Sequence, residues 1–214
     1  MRNSLQNKIA LSPQFSSLSG MDHQQALEIV SYKLGLKLGK NALEDPVLLP
    51  EVIERAIQDK EDADPKNYGL REYMTATKIV NELRLEHAKV EGDQWIAQMV
   101  KEKELTQLES GLAYKVIEQG KGRQCVEGAT VRVNYEGKLM DGSEFDSSYD
   151  RGRPATFPLD SVIKGWQEGL QLMTVGSRYH FYIPQDLAYG DRGSGSDIPP
   201  YAALFFEIEL LAAL

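Results

Sequence analysis

The sequence has 214 residues, 42% of them hydrophobic and 26% charged, a composition typical of a folded globular protein. Its formal net charge is −8 and both halves are acidic, which argues against nucleic acid or an anionic membrane surface as a partner. A single cysteine, Cys125, excludes an internal disulfide and a cysteine-based zinc cluster, and the three histidines lack metal-ligand spacing. No phosphate loop or dinucleotide fingerprint occurs, so the sequence predicts neither a metal nor an organic cofactor.

No run of about 18 apolar residues is present, which predicts no membrane span. The first residues, 1–6, lack the apolar core of a secretory signal, so we expect a cytoplasmic protein. A chain whose leader had been replaced by a new methionine would look the same, and the periplasm is the alternative.

The chain begins with helical periodicity. Asp22 is a plausible N-cap for a first amphipathic helix, whose apolar face consists of Leu27, Val30, Leu34 and Leu38. A second apolar stripe ends at the charged run 59–62 and consists of Leu49, Val52, Ile53, Ala56 and Ile57.

A long helix is predicted next, from about Leu70 to Glu104, with Gly92 as its one weak point. Its apolar positions are Tyr73, Ala76, Ile79, Val80 and Leu83, and then Trp95, Ile96, Met99 and Val100. An unbroken helix of this length would extend about 50 Å. Two short helices can cover only part of it, so the pattern predicts a partner chain, with a longer intramolecular bundle as the alternative. These elements predict an all-α domain over residues 1–106.

The second half changes to the alternation of β-strands. Apolar and polar side chains alternate around Tyr135 and along the last strand, 204–210, and Asp141-Gly142 is a turn signal between strands. One helix, entered at Asp160 or Ser161, interrupts the strands. We therefore predict an α+β domain over residues 107–214, an antiparallel sheet packed on one short helix.

Aromatic side chains dominate the positions that could form a site in this half. They are Tyr135, Phe145, Phe157, Trp166, Tyr189 and Phe206. Any one of them could simply be core, but together they are too many for one small sheet–helix core. Asp146 is either an exposed turn acid or a pocket acid held by Tyr135 and Arg151. This set predicts a pocket that binds an apolar ligand.

The same residues lie in motifs that resemble the FKBP-type peptidyl-prolyl cis-trans isomerases, and the resemblance covers nearly all of residues 108–214. The motifs are Val133-Asn134-Tyr135-Glu136-Gly137, Asp141-Gly142-Ser143-Glu144-Phe145-Asp146-Ser147-Ser148, Val162-Ile163-Lys164-Gly165-Trp166, Ala188-Tyr189-Gly190 and Ile198-Pro199-Pro200. More loosely, residues 31–40 and 110–117 resemble the bacterial macrophage-infectivity-potentiator type. In that subfamily the N-terminal helices interlock two chains into a homodimer.

The resemblance implies catalytic roles for Asp146, Tyr189, Tyr135 and Phe145, and substrate-binding roles for Val162, Ile163, Trp166, Ile198, Phe206 and Arg151. It implies an isomerase for X-Pro bonds that assists protein folding, with chaperone activity as a homodimer through residues 22–104. A mainly non-catalytic chaperone or binding module is the alternative. The implied partners are proline-containing peptides, unfolded proteins and macrolide inhibitors. Ala155 stands where eukaryotic members have an aromatic residue, which leaves macrolide affinity open.

Overall fold

A computed structural model describes residues 22–38, 47–49, 52–56 and 70–214. The chain divides into two compact units, Met1–His87 and Ala88–Leu214. Ile57, the last residue of the second predicted apolar stripe, and the charged run 59–62, where that stripe was predicted to end, lie outside the described residues. The predicted domain border between residues 106 and 107 stays a prediction.

In the first unit, helix α1 spans His23–Leu38 and a short helical segment covers residues 52–56. Asp22 is the N-cap, as predicted: its Oδ1 accepts from the Gln25 N–H at 2.7 Å, and the Gln25 amide oxygen accepts in return from the Asp22 N–H. The core of this unit consists of Ala26, Ile29, Val30, Val47, Leu48, Ile53, Ala76, Val80 and Leu83.

Helix α2 spans Leu70–Lys103, within one residue of the prediction. It ends where Glu104 takes a positive φ of 52°, and Lys101 and Lys103 in its last turn suit the negative end of the helix dipole. The predicted partner chain stays a prediction, because α2 is covered at some apolar positions within the chain, whereas Met74 is 64% and Val90 39% exposed. Ala76 and Val80 are covered by α1 in the first unit, and Ile96 is covered by the sheet in the second.

The second unit is an antiparallel sheet of seven strands: β1 Thr106–Gln107, β2 Ala113–Glu118, β3 Thr130–Lys138, β4 Glu144–Ser147, β5 Ala155–Pro158, β6 Arg178–Ile183 and β7 Leu204–Ala213. Their order is β1-β2-β6-β7-β3-β4, with β5 also paired to β3. In this register Tyr135 lies opposite Ile208, and Gly137 opposite Phe206. The alternating side chains of β3 and β7 therefore supply one apolar inner face.

Helix α3, Lys164–Gln171, packs on that inner face through Trp166 and Leu170. Its two glycines permit the close approach, because a Cβ on Gly165 would lie 2.5 Å from Ile183 and one on Gly169 would lie 2.6 Å from Phe181. The predicted α+β fold is thus confirmed, a sheet on one short helix.

The predicted entry into this helix was wrong. Asp160 and Ser161 belong to a separate 3₁₀ turn, Leu159–Ser161, and α3 begins only at Lys164. Between them Val162 and Ile163 are extended, with ψ of 171° and 151°, and Ile163 is the N-cap without a side-chain cap. Good capping residues were available two to three positions earlier, but tertiary packing of the Val162–Ile163 step decides the boundary.

The outer face of the sheet is covered by the last turns of α2. Trp95, Ile96 and Met99 pack there with Tyr182 and Ala203, and the Trp95 and Tyr182 ring centroids lie 5.5 Å apart. The sheet therefore has a helix on each face within the second unit.

Candidate active site

Trp166 forms the floor of the candidate site. Its side chain is 4% exposed, and its ring meets three others edge to face, Tyr135 at 5.1 Å, Phe206 at 5.2 Å and Phe157 at 6.0 Å between centroids. Each pair has the perpendicular geometry that aromatic quadrupoles favour. Within the described part of the chain, Trp166 Nε1 has no hydrogen-bond partner. Four different elements, α3, β3, β5 and β7, thus converge on one aromatic cluster.

Phe145 on β4 supplies one wall. Its ring lies edge to face with Phe206 at 5.5 Å. The approach depends on Gly137 between them: a Cβ there would lie 2.7 Å from atoms of both Phe145 and Phe206. A glycine inside a central strand weakens the strand but allows this ring contact.

A closed polar triangle lies beside the aromatic floor. The Tyr135 hydroxyl donates to one carboxylate oxygen of Asp146, and Arg151 Nη1 donates to the other. Arg151 Nη2 also donates to the Tyr135 hydroxyl at 2.7 Å, and its guanidinium lies 5.3 Å from the Tyr135 ring centroid. Of the two readings of Asp146, the paired acid agrees with this geometry, although its side chain is still 41% exposed.

The buried position of the Tyr135 hydroxyl beside Asp146 changes its pKa. Burial, together with the hydrogen bond to the negative Asp146, raises its pKa from 10.0 to about 12. The hydroxyl therefore stays protonated at neutral pH and keeps its role as donor to Asp146. The triangle contains one acid and one base that neutralise each other, an arrangement suited to holding positions fixed and not to transferring protons.

The backbone of Tyr135 is fixed by Ser148, a fully buried residue. The Tyr135 N–H donates to Ser148 Oγ at 2.8 Å, and the Ser148 N–H donates to the Tyr135 carbonyl at 2.9 Å. This residue lies in a quoted motif but was not predicted to belong to the site. Its position, two residues after Asp146, was the sequence feature from which a role in the site could have been predicted.

Val162 and Ile163 precede α3 and pack on the same core as Trp166. The Gln167 side chain donates to the Val162 carbonyl at 2.7 Å, and the N–H groups of Trp166 and Gln167 donate to the Ile163 carbonyl at 2.9 and 3.1 Å. The extended step is therefore fixed by the first turn of the helix that follows it.

The remaining two predicted residues come from the segment between β6 and β7. Ile198 is 6% exposed and belongs to the same core, and its backbone makes two hydrogen bonds with Ser194, at 2.8 and 3.1 Å. Tyr189 is 38% exposed, and both burial and the charge of Asp146 raise its pKa. The predicted site residues other than Tyr189 lie in or beside one cluster, and Tyr189 is linked to it by the charge of Asp146.

Comparison with known proteins decides the family. A family model for FKBP-type peptidyl-prolyl cis-trans isomerase matches residues 121–211, and one for the domain amino-terminal to such isomerases matches residues 27–116. The chain is 42% identical over 193 residues to the FKBP-type 22 kDa peptidyl-prolyl cis-trans isomerase of Escherichia coli strain K12, covering 86% of this chain and 94% of that protein. The chain belongs to the FKBP-type peptidyl-prolyl cis-trans isomerases.

Two further comparisons agree with this FKBP-type assignment. The protein named Outer membrane protein MIP of Legionella longbeachae is 34% identical over 195 residues, covering 86% of this chain and 84% of that one. The crystal structure of FkpA from Escherichia coli superposes with a TM-score of 0.59 at 34% identity, over 86% of this chain and 94% of that chain. The macrophage-infectivity-potentiator-like subfamily is thereby confirmed. No helix among the described residues is long and apolar enough to cross a bilayer.

Two parts of this FKBP-type site were missed by sequence reasoning besides Ser148. Phe157 was recognised as part of the aromatic group but not assigned to the pocket, although its ring lies 6.3 Å from that of Tyr135. Gly137 was quoted in a motif without a role. Its importance depends on β4 and β7 lying on either side of β3, and pairing between distant strands leaves no local signal. Ala155 is half-buried on β5, opposite Val133.

Proposed function

We propose that this isomerase accelerates X-Pro rotation by enclosing the prolyl ring in the aromatic cluster on Trp166, with Asp146 as an organising group and not an acid catalyst. The observation that carries the proposal is the closed triangle of Asp146, Tyr135 and Arg151 beside a buried aromatic floor. No separate proton donor or nucleophile is required, because no covalent bond is made or broken.

Rotation about the X-Pro bond has a barrier of about 18–20 kcal/mol, because twisting the amide breaks its resonance. The planar amide is more charge-separated than the twisted one. An apolar pocket that excludes water therefore disfavours the planar ground state more than the twisted transition state. Differential binding of this kind lowers the barrier without acid–base chemistry.

The proposed roles follow the geometry. Trp166, Phe206, Val162 and Tyr135 enclose the prolyl ring, with Phe145 and Ile198 as walls. The backbone N–H of Ile163 and the Tyr189 hydroxyl anchor substrate carbonyls. Asp146 lies near the twisting amide and is held there by its two partners, Tyr135 and Arg151.

The test is the Asp146→Ala variant in a protease-free isomerisation assay on a proline tetrapeptide. We expect kcat/KM to fall about tenfold, less than the loss of about 10²–10³ seen for a buried oxyanion donor, since Asp146 is half-exposed. Asp93→Ala, which removes an exposed acid on α2, is the matched control. Full activity in Asp146→Ala would disprove the role given to this acid.

We further propose that the protein is a homodimer through residues 22–104. Two observations support this: residues 27–116 match the amino-terminal domain of the family, and Met74 on α2 is 64% exposed. Light scattering coupled to size exclusion should give twice the 24.0 kDa of one chain over a concentration series. A mass of one chain at every concentration would contradict the proposal.

Chaperone activity and macrolide binding are proposed as well. Two pockets on one dimer would hold an unfolded chain more firmly than one, through effective concentration. A refolding assay on an aggregation-prone protein, with and without a macrolide, separates the two activities. Loss of isomerisation with retained suppression of aggregation would place chaperoning in the helical part. Loss of both would place it in the pocket.

A further inference from the structure

Gly92 is buried inside the part of helix α2 that belongs to the second unit, where the helix packs on the segment before β7. Glycine is among the least favourable residues inside a helix, so a packing reason is expected at this position. The packing reason is the close approach of residues 201–203, with the Ala203 methyl group nearest. A Cβ on Gly92 would lie 3.3 Å from the Ala203 Cβ, 3.6 Å from the Ala203 nitrogen and 3.6 Å from the Tyr201 carbonyl oxygen.

The segment that Gly92 touches is held in an unusual conformation. Tyr201 has a positive φ of 59°, which is uncommon for a residue with a side chain, and Ala203 is 1% exposed. The Tyr201 N–H donates to the Gly190 carbonyl at 2.8 Å. A strained residue persists only where its surroundings fix it, and Gly92 is near this one, since a Cβ there would lie 3.6 Å from the Tyr201 carbonyl oxygen.

This segment also connects directly to the pocket. Ile198 precedes Tyr201 by three residues and is paired with Ser194 through two backbone hydrogen bonds. Tyr189 is the immediate neighbour of Gly190, which accepts the hydrogen bond from Tyr201. Tyr201 is therefore linked to Ile198 along the chain, and to Tyr189 through its hydrogen bond to the neighbouring Gly190.

We propose that Gly92 is a positioning residue for the isomerase reaction. By letting α2 lie directly against residues 201–203, it sets the positions of Ile198 and Tyr189 from outside the pocket. The part of α2 that belongs to the second unit thereby takes part in the active-site geometry. This inference rests on the proposed roles of Ile198 and Tyr189 in substrate binding.

The test uses the full-length chain with Gly92→Ala and Gly92→Leu, and measures kcat and KM separately in the protease-free assay. Alanine requires a shift of a few tenths of an ångström. We expect a loss of about fourfold in kcat/KM, since a misplacement of about 1 Å can cost about a hundredfold. Leucine should cost about tenfold or more. Both losses should appear mainly in KM, because Ile198 and Tyr189 bind the substrate.

A second substitution at Ala203 tests whether the effect of Gly92→Ala comes from the contact between these two residues. Gly92→Ala combined with Ala203→Gly removes a methyl group where one was added, and should recover most of the lost kcat/KM. Gln94→Leu introduces the same leucine on an exposed position of the same helix and should leave KM unchanged. Thermal unfolding followed by circular dichroism gives the folded fraction by which each rate is divided.

The inference is overturned if Gly92→Leu has the wild-type KM per folded molecule, or if Ala203→Gly fails to rescue Gly92→Ala. Tyr189→Phe and Ile198→Ala, measured alongside, distinguish the pocket roles of Tyr189 and Ile198 from the positioning role of Gly92. Unchanged KM in both would refute the pocket roles themselves. Raised KM in those variants with an unchanged Gly92→Leu would refute the part played by Gly92 alone.

Discussion

Gly137→Ala places a methyl group between two rings of the pocket, and the structure indicates which ring must move. The new Cβ would lie 2.7 Å from two atoms of Phe145 and from one atom of Phe206. Phe206 is 4% exposed and packed against Trp166, whereas Phe145 is half-buried on β4, an edge strand of the sheet. We therefore expect Phe145 to be displaced outward.

The magnitude follows from two opposing terms. Overpacking of a filled site costs about 1–3 kcal/mol, and three close approaches to two rings put this change at the upper end. Replacing glycine by alanine inside a strand returns about 0.5–1 kcal/mol. The free energy of unfolding should thus fall by about 2 kcal/mol. The value of kcat/KM should fall with it, to the level of Phe145→Ala, because the same wall is lost.

Urea denaturation of Gly137→Ala, Phe145→Ala and the double variant measures this directly. Two of the three close atoms belong to Phe145, so the alanine at 137 should cost less than half as much when Phe145 is absent. Gly142→Ala, in the turn between β3 and β4, is the control. It has a φ of 87° and open space around it, so its cost is one of backbone strain and is independent of Phe145.

Two results would refute the reasoning about Gly137. One is an unfolding free energy equal to that of the wild type. The other is the same loss of stability with and without Phe145, which would show that the ring contact is not its cause.

Three other predictions concern the floor and the triangle. Trp166→Leu should raise the KM for proline peptides, because three edge-to-face contacts and a large apolar surface are lost, and calorimetry with a proline-containing inhibitor checks the same loss. Arg151→Lys should lower kcat/KM, since one ammonium cannot hold both Asp146 and Tyr135. The free energy of unfolding should change by less than about 1 kcal/mol, because the side chains of the ion pair are 42% and 41% exposed. Equal losses of transition-state stabilisation and of unfolding free energy would contradict this prediction. Tyr135 holds its proton more tightly when folded, with a pKa raised from 10.0 to about 12, so its contribution to stability is complete below pH 10 and is lost as the pH rises towards 12. Urea midpoints at pH 9 and 11 should fall more for the wild type than for Tyr135→Phe, and parallel falls would refute the shift.

The aromatic half of the site could be predicted from the sequence because residue type and spacing alone identify its members. Trp166 and Phe206 are large and apolar, and they lie at positions whose periodicity turns them towards one core. The Asp22 cap and the long helix were predicted for a similar reason, because capping and periodicity are local properties. The role of Gly137, by contrast, depends on strand pairing. That pairing joins residues about 70 positions apart, so no local pattern predicts it.

Two other features could not be predicted because packing overrides local preference. Ile163 is a poor N-cap, yet the helix begins after it, since the Val162–Ile163 step is held extended by Gln167 and the core. The sequence showed that the apolar positions of α2 need a cover. It did not show that α1 and the outer face of the sheet supply one.

The contact of α2 with the outer face of the sheet also bears on the smallest part of the chain that can fold. Trp95, Ile96 and Met99 cover Tyr182 and Ala203, and Lys103 donates from its ammonium to the Tyr182 hydroxyl at 3.0 Å. A fragment cut at the predicted border, residue 107, would leave an aromatic surface open to water and prone to self-association. A fragment that begins at residue 88 retains its own cover, so residues 88–103 of α2 are part of the isomerase folding unit.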